Sequence, residues 1–348
     1  MIRVGVIGYG YWGPNIVRNF HVNEGFRVDA VCDKNAESLQ RARKIYPALT
    51  FTQEARDILE SKDIDLVAVI TPAWTHYGLA KAALQNWKHV FVEKPFTRSS
   101  AEAEELIEIA ERKHLKIMVD HTFLFTGAVR RIRQMVDDNF LGDLYYYDSL
   151  RVNLGLFQHD VNVIWDLAPH DLSIMDHVIQ TDPEALVATG ETHLNGHEDV
   201  AFITVYFPKN VIAHINVNWL SPVKVRTTLI GGKKRMLVWN DLEADEKIKV
   251  YDKGVSIANE ENLHQLLVSY RSGDMWAPHV QETEALRAEL AYFHECLSSD
   301  TTPFNDGFAG LRIVRMLEAA EQSVKNRGRT IQLRPLKTRT RAAEAKAS

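Results

Sequence analysis

Cysteine, long apolar runs and excess positive charge are all scarce in this chain. Two cysteines, Cys32 and Cys296, occur in 348 residues. That is too few for a disulfide framework or a cysteine-held zinc cluster, and a cytoplasmic protein is expected. No apolar stretch approaches the roughly 20 residues of a membrane span. The opening residues read as a fold-forming strand rather than a signal peptide, so no membrane association is expected. Lysine and arginine number 41 against 46 aspartates and glutamates, a net charge of −5. Without a basic excess to neutralise phosphates, nucleic acid is excluded as a partner. Hydrophobic residues at 45% and charged residues at 25% are ordinary for a globular enzyme. The length suits two domains, each with its own core.

What the chain does have starts at once. Ile2–Ile7 is the near-continuous apolar run of a parallel strand buried on both faces. It runs straight into Gly8-Tyr-Gly10-Tyr11-Trp12-Gly13. In such a turn the first glycine permits the tight bend, the second lets backbone approach a pyrophosphate, and the third lets helix pack on strand. Pro14 suits the first turn of the following helix, whose N-terminus would face the phosphates. Tyr11 and Trp12 stand within the turn, where Trp12 reads equally as a packing residue. A second run, Arg27–Asp33, ends in a carboxylate twenty residues beyond Gly13. An acid there accepts bonds from the adenosine ribose and repels a 2′-phosphate, which favours NAD over NADP. A plain turn aspartate is the other reading.

Strand and helix then alternate to about residue 122. Strands are expected at Ile64–Ile70, His89–Glu93 and Lys116–Asp120. Helices are expected at Ala36–Tyr46, Thr75–Trp87 and Ala101–Lys113, the last opened by the capping-box sequence Ser99-x-x-Glu102. This is the rhythm of a doubly wound parallel sheet. Beyond it, helices at Ala128–Asp137 and Asp166–Ile179 flank a strand at Tyr145–Asn153. Six β-type segments from Ala185 to Tyr251 then follow with short links, implying an open, mostly antiparallel sheet. Helices over Glu282–Leu297 and Gly310–Lys325 close the fold. The chain therefore reads as α/β: residues 1–122 a Rossmann dinucleotide-binding domain, 123–336 an α+β substrate-binding and oligomerisation domain, and 337–348 a disordered tail.

Ligands of open α/β sheets bind at the carboxyl ends of strands. Thr71-Pro72 follows one such strand, with His76 four residues after Pro72, and Glu93-Lys94-Pro95 follows the next. A lysine there can hydrogen-bond an alcohol oxygen and stabilise its developing charge, although a solvated loop lysine reads the same way. In Trp165-Asp166-Leu-Ala-Pro169-His170-Asp171, a helix starting at Asp166 puts Asp166 and His170 on one face. Histidine beside a carboxylate is a candidate proton acceptor. The plainer reading is an N-cap aspartate and a structural histidine. Asp166, His170 and Asp171 could ligate a metal, but no third ligand shares their face and none is expected. Asn153, His159, Asn162 and Trp165 are candidate substrate contacts.

With these motifs in this order, the chain resembles the Gfo/Idh/MocA family of NAD(P)-dependent sugar oxidoreductases over all but its tail. The resemblance rests on Gly8-Tyr-Gly10-Tyr-Trp-Gly13, Thr71-Pro72 with His76, Glu93-Lys94-Pro95, and Asp166-x-x-x-His170-Asp171. It implies NAD as cofactor, Lys94 at the nicotinamide ribose and reacting hydroxyl, His170 as acid/base and Asp166 orienting it. It also implies a homodimer or homotetramer through the C-terminal sheet. The wording of the first and last motifs looks most like the branch that oxidises C3 of a UDP-N-acetylhexosamine or its uronate. That branch feeds a pathway aminotransferase in polysaccharide or lipid A biosynthesis. Other sugar or cyclitol dehydrogenases of the family, and its redox-neutral NAD-dependent glycosidases, share the scaffold. Asp120–Phe125 departs from the Asn-Arg pair that many relatives carry there.

Overall fold

The structure, a computed structural model, describes residues 1–155, 161–194, 196–257, 268–271 and 273–334. His159 and the tail from residue 337 lie outside the described residues. Two compact units result.

The first unit opens with β1 (Ile2–Ile7), α1 (Gly13–Val22), β2 (Phe26–Cys32), α2 (Ala36–Ile45), β3 (Thr50–Thr52) and α3 (Ala55–Leu59). β4 (Leu66–Val69), α4 (Ala73–Gln85), β5 (His89–Glu93), α5 (Ser100–Lys113) and β6 (Ile117–Asp120) follow. The strands form one parallel sheet in the order β3-β2-β1-β4-β5-β6. Val4, Val6, Leu66, Val67, Val90 and Phe91 at its centre are fully buried, as a sheet covered by helices on both faces requires. The order reverses between β1 and β4, and at that switch point doubly wound sheets bind their ligands. At the start of α5, the Ser99 hydroxyl accepts the Glu102 N–H at 3.3 Å. The reciprocal arm of the capping box falls one residue early, with Glu102 accepting from the Arg98 N–H at 3.1 Å.

The second unit contains α6 (Gly127–Asp137), β7 (Leu144–Leu154), α7 (Val163–Ile179), β8 (Ala185–Glu191), β9 (Val200–Tyr206), β10 (Ile212–Asn218) and β11 (Leu220–Gly232). β12 (Met236–Asn240), β13 (Ile248–Tyr251), a small pair of β14 (Gly254–Ile257) and β15 (Val268–Arg271), and β16 (Met275–Trp276) come next. After α8 (Ala285–Ser298) and α9 (Gly307–Lys325), β17 (Ile331–Gln332) completes a nine-stranded sheet. Its order is β16-β13-β12-β11-β7-β10-β9-β8-β17. All neighbours pair antiparallel except β7 and β10, which run parallel. The sheet is thus mixed and mostly antiparallel, with α7 packed on β10, β7 and β9.

The units do not follow a single cut at residue 122. Residues 283–318 belong to the first unit, and 126–282 with 319–334 form the second, so α9 contributes to both. Packing explains the return. Leu286, Leu290 and Phe293 of α8 are buried, with Phe293 6.2 Å from Phe91 and His294 edge-on to Phe26 at 5.5 Å. Glu284, at the head of α8, pairs with Arg18 and accepts from Asn19 at 2.9 Å, both on α1.

Candidate active site

The glycine turn occupies the carboxyl end of β1. Gly8 has φ +108°, and a Cβ on it would lie 2.1 Å from the Ile70 carbonyl oxygen. A Cβ on Gly13 would meet the Gly8 oxygen at 2.6 Å, so helix and turn touch through bare backbone. At Gly10 nothing lies within 4 Å of that position. The opening, ahead of a ten-residue helix with no acid in its first turn, suits a pyrophosphate. The residues present therefore fit a bound dinucleotide.

Asp33 closes this cradle from β2. Its Oδ2 accepts the Tyr9 N–H at 2.6 Å and its Oδ1 the Asn35 N–H at 2.8 Å. Each oxygen keeps a lone pair for a ribose hydroxyl. Asp33→Ala is expected to weaken NAD and to cut the NAD-over-NADP preference in kcat/KM about tenfold or more. Unchanged discrimination would remove the ribose role.

Five candidates follow β4 and β5: Thr71, Pro72 and, on α4, His76 after the first, and Glu93 and Lys94 at the end of the second. Lys94 and Glu93 are half-buried, and the Lys94–Pro95 bond is cis. His76 was expected at the cofactor but is only 1% exposed. Its Nδ1 lies 2.8 Å from the Pro95 carbonyl oxygen and its Nε2 2.8 Å from that of Thr71. A neutral imidazole carries one N–H, so the ring donates to one of these two carbonyls while lying between the Thr71-Pro72 and Glu93-Lys94-Pro95 turns. Burial lowers the pKa of its ring. Tyr11 projects into solvent, 92% exposed, and Trp12 is half-buried with its indole N–H directed at Asp120.

The remaining candidates lie in the second unit. α7 starts at Val163, one turn before Asp166, because Asn162 caps it: its Oδ1 accepts the Trp165 N–H at 3.0 Å. Asp166 is therefore not the cap, and Pro169 stands inside the helix rather than in its first turn. Asp166 and His170 remain one turn apart on one face, both half-buried. Asp166 Oδ2 accepts from the indole N–H of Trp219 at 3.2 Å. Trp219, 1% exposed at the end of β10, was missed in the sequence, where the one available signal is that a buried indole needs an acceptor.

Asp171 faces the sheet instead. It accepts from the Ser149 hydroxyl at 2.5 Å and from the Arg151 guanidinium through both oxygens, and all three residues are buried. This employs both oxygens of the one residue weighed as a further metal ligand. Among the described residues no group of three or more potential ligands could hold a metal ion. Asn162 also donates to Glu198 at 2.7 Å, and the Trp165 indole donates to Glu321 at 3.1 Å. Both candidate substrate contacts thus have structural partners, whereas Asn153 is half-buried at the end of β7.

Known proteins match this arrangement in both halves. Residues 2–121 match the model of the oxidoreductase family with an NAD-binding Rossmann fold, and residues 129–238 match the C-terminal domain of the same Gfo/Idh/MocA group. The UDP-N-acetylglucosamine 3-dehydrogenase of Acidithiobacillus ferrooxidans is 24% identical over 322 residues, 90% of this chain and 94% of that protein. Its solved structure superposes with a TM-score of 0.80 at 23% identity, covering 93% of this chain and 98% of that one. A levoglucosan dehydrogenase in complex with NADH gives a TM-score of 0.82 at 15% identity over 96% of this chain and all (100%) of its own.

Proposed function

The chain belongs to the Gfo/Idh/MocA oxidoreductase family, an NAD-using one, and on that footing we propose that it oxidises C3 of a UDP-N-acetylhexosamine or its uronate. The observation that supports this reading most is the likeness to the UDP-N-acetylglucosamine 3-dehydrogenase along 90% of the chain, through both units. Bound NAD supplies the hydride acceptor. The turn from Gly8 to Gly13 and the N-terminus of α1 bind its pyrophosphate, and Asp33 its ribose. His170 takes the hydroxyl proton as the C3–H bond breaks and the ketone forms. The Lys94 ammonium hydrogen-bonds the same oxygen and stabilises its negative charge. Asp166, steadied by Trp219, orients the His170 imidazole.

The product ketone suits a pathway aminotransferase. A cytoplasmic setting accords with the source of a nucleotide sugar. No helix among the described residues is long and apolar enough to cross a membrane. A second copy of this chain fits the outer face of the nine-stranded sheet. There Tyr206, Ile212 and Tyr146 stand side by side in register, with Phe202 and Leu229 exposed on neighbouring strands. Light scattering at a single-subunit mass would remove the dimer or tetramer.

The direct test follows NADH absorbance against a panel of UDP-sugars, with the keto carbon located by mass spectrometry. NADH is expected to accumulate with a UDP-N-acetylhexosamine or its uronate, giving a 3-keto product. Turnover confined to non-nucleotide sugars would overturn the substrate. Sugar release with no NADH would favour the family's redox-neutral glycosidases.

A further inference from the structure

Asp120 stands at the end of β6 and is 1% exposed. Oδ1 accepts from the Thr122 hydroxyl, and Oδ2 accepts from the Trp12 indole N–H at 3.4 Å, a long bond reaching into the glycine turn. The carboxyl of Glu289, fully buried on α8, lies close enough to that of Asp120 for each to act on the other. Glu289 Oε1 accepts from the Asn305 amide at 3.1 Å, and no donor among the described residues reaches its Oε2. Asn305 is itself pinned to β6: its side-chain amide donates to the Val119 carbonyl at 2.9 Å, and its own carbonyl accepts the Val119 N–H at 2.9 Å.

An ionised carboxylate only accepts hydrogen bonds, so two buried carboxyls this close can be joined only through a proton, and the Glu289 Oε2 that no donor reaches is where one can sit. The groups acting most strongly on the pair are Thr122, Trp12, Asn305 and a third acid, Glu93, the residue before Lys94. None of these is a cation. Two buried negative charges beside a third acid would repel with little solvent to screen them.

We propose that Asp120 and Glu289 share one proton in the folded protein, and that this singly protonated pair is a positioning device that holds Trp12, and with it the glycine turn, ready for the dinucleotide. Glu289 carries the proton and donates to Asp120, which stays ionised as the acceptor for the indole. Burial raises Asp120 and drives Glu289 well above the ordinary carboxyl range, with Asp120 and Glu93 adding to the effect on Glu289. The sign follows. The folded state keeps a proton that the unfolded chain releases, so the contribution to stability is full at low pH and is lost as pH rises through the folded value. The inference rests on NAD as cofactor and not on which sugar is oxidised, so loss of the sugar assignment leaves it standing.

The test uses the full-length protein without substrate. Infrared difference spectra of wild type against Glu289→Gln at neutral pH should show the carbonyl stretch of one protonated carboxyl, missing in the variant. Glutamine keeps an N–H for Asp120, so NAD affinity at neutral pH is expected within about twofold of wild type. Its stability should no longer fall with rising pH as the wild type's does. Trp12→Phe should weaken NAD about tenfold in equilibrium fluorescence titrations while keeping the infrared band. Absence of the band, or the same pH profile in wild type and Glu289→Gln, overturns the shared proton. Unchanged NAD affinity in Trp12→Phe overturns the positioning role.

Discussion

His170→Ala is expected to lower kcat by a factor on the order of 10²–10⁴, the usual reach of a general acid/base. NAD affinity should stay within about twofold of wild type. The separation is expected because the dinucleotide cradle, Gly8 to Gly13 with Asp33, belongs to the first unit and His170 to the second. Lys94→Ala should cost roughly 10²–10³ in kcat, since the charge on the reacting oxygen loses its ammonium donor in the transition state. Lys94 also stands on the turn that His76 lies against, so a small loss of NAD affinity accompanies it. On the proposed mechanism the double variant should fall short of the product of the two single effects, because groups acting as a unit are not additive. Steady-state kinetics with NAD binding measured separately checks all three. Near-wild-type kcat in both single variants would sink the assignment of either residue to the chemistry.

Asp171→Ala carries the largest expected cost in stability. It leaves the Arg151 guanidinium, 5% exposed, beside the buried Ser149 hydroxyl without its anion. Breaking a buried ion pair from one side costs about 3–5 kcal/mol. The loss lands where α7 docks on β7, immediately after His170, so activity should fall with the folded fraction. Replacing both partners by apolar residues of similar volume, Asp171→Leu with Arg151→Met, should recover most of the stability, since no charge is left uncompensated. Chemical denaturation of the single and double variants reads this directly. A single variant as stable as wild type would show that the pair is not what fastens the helix.

The first unit was legible because its signals are local. A buried apolar run, three glycines and an acid about twenty residues on need no partner to be recognised. β3 and α3 escaped notice because three and five residues carry too little periodicity to register. The start of α7 was misplaced for a specific reason. Proline is comfortable in a first turn, which drew the boundary towards Pro169, whereas the Asn162 cap sets it at Val163. Side-chain duties in the second unit were the least legible. Asp171 stands next to His170 in the chain, yet one faces β7 through Arg151 while the other shares the face of Asp166. Only the packing of helix on sheet decides that. The return of residues 283–318 to the first unit is likewise written in contacts such as Phe91 with Phe293, far apart in the chain.

The double engagement of Asp33 has a consequence for any attempt to redesign cofactor choice. The carboxylate proposed to discriminate between dinucleotides is also the acceptor on which the Tyr9 amide hangs. A substitution chosen only to welcome a 2′-phosphate would unfasten the turn that must hold the pyrophosphate. If Asp33 sets cofactor choice as proposed, cofactor identity and loop rigidity are inherited together at this position. A replacement that keeps an acceptor for Tyr9, such as serine, paired with a new cation elsewhere, is the shortest path across.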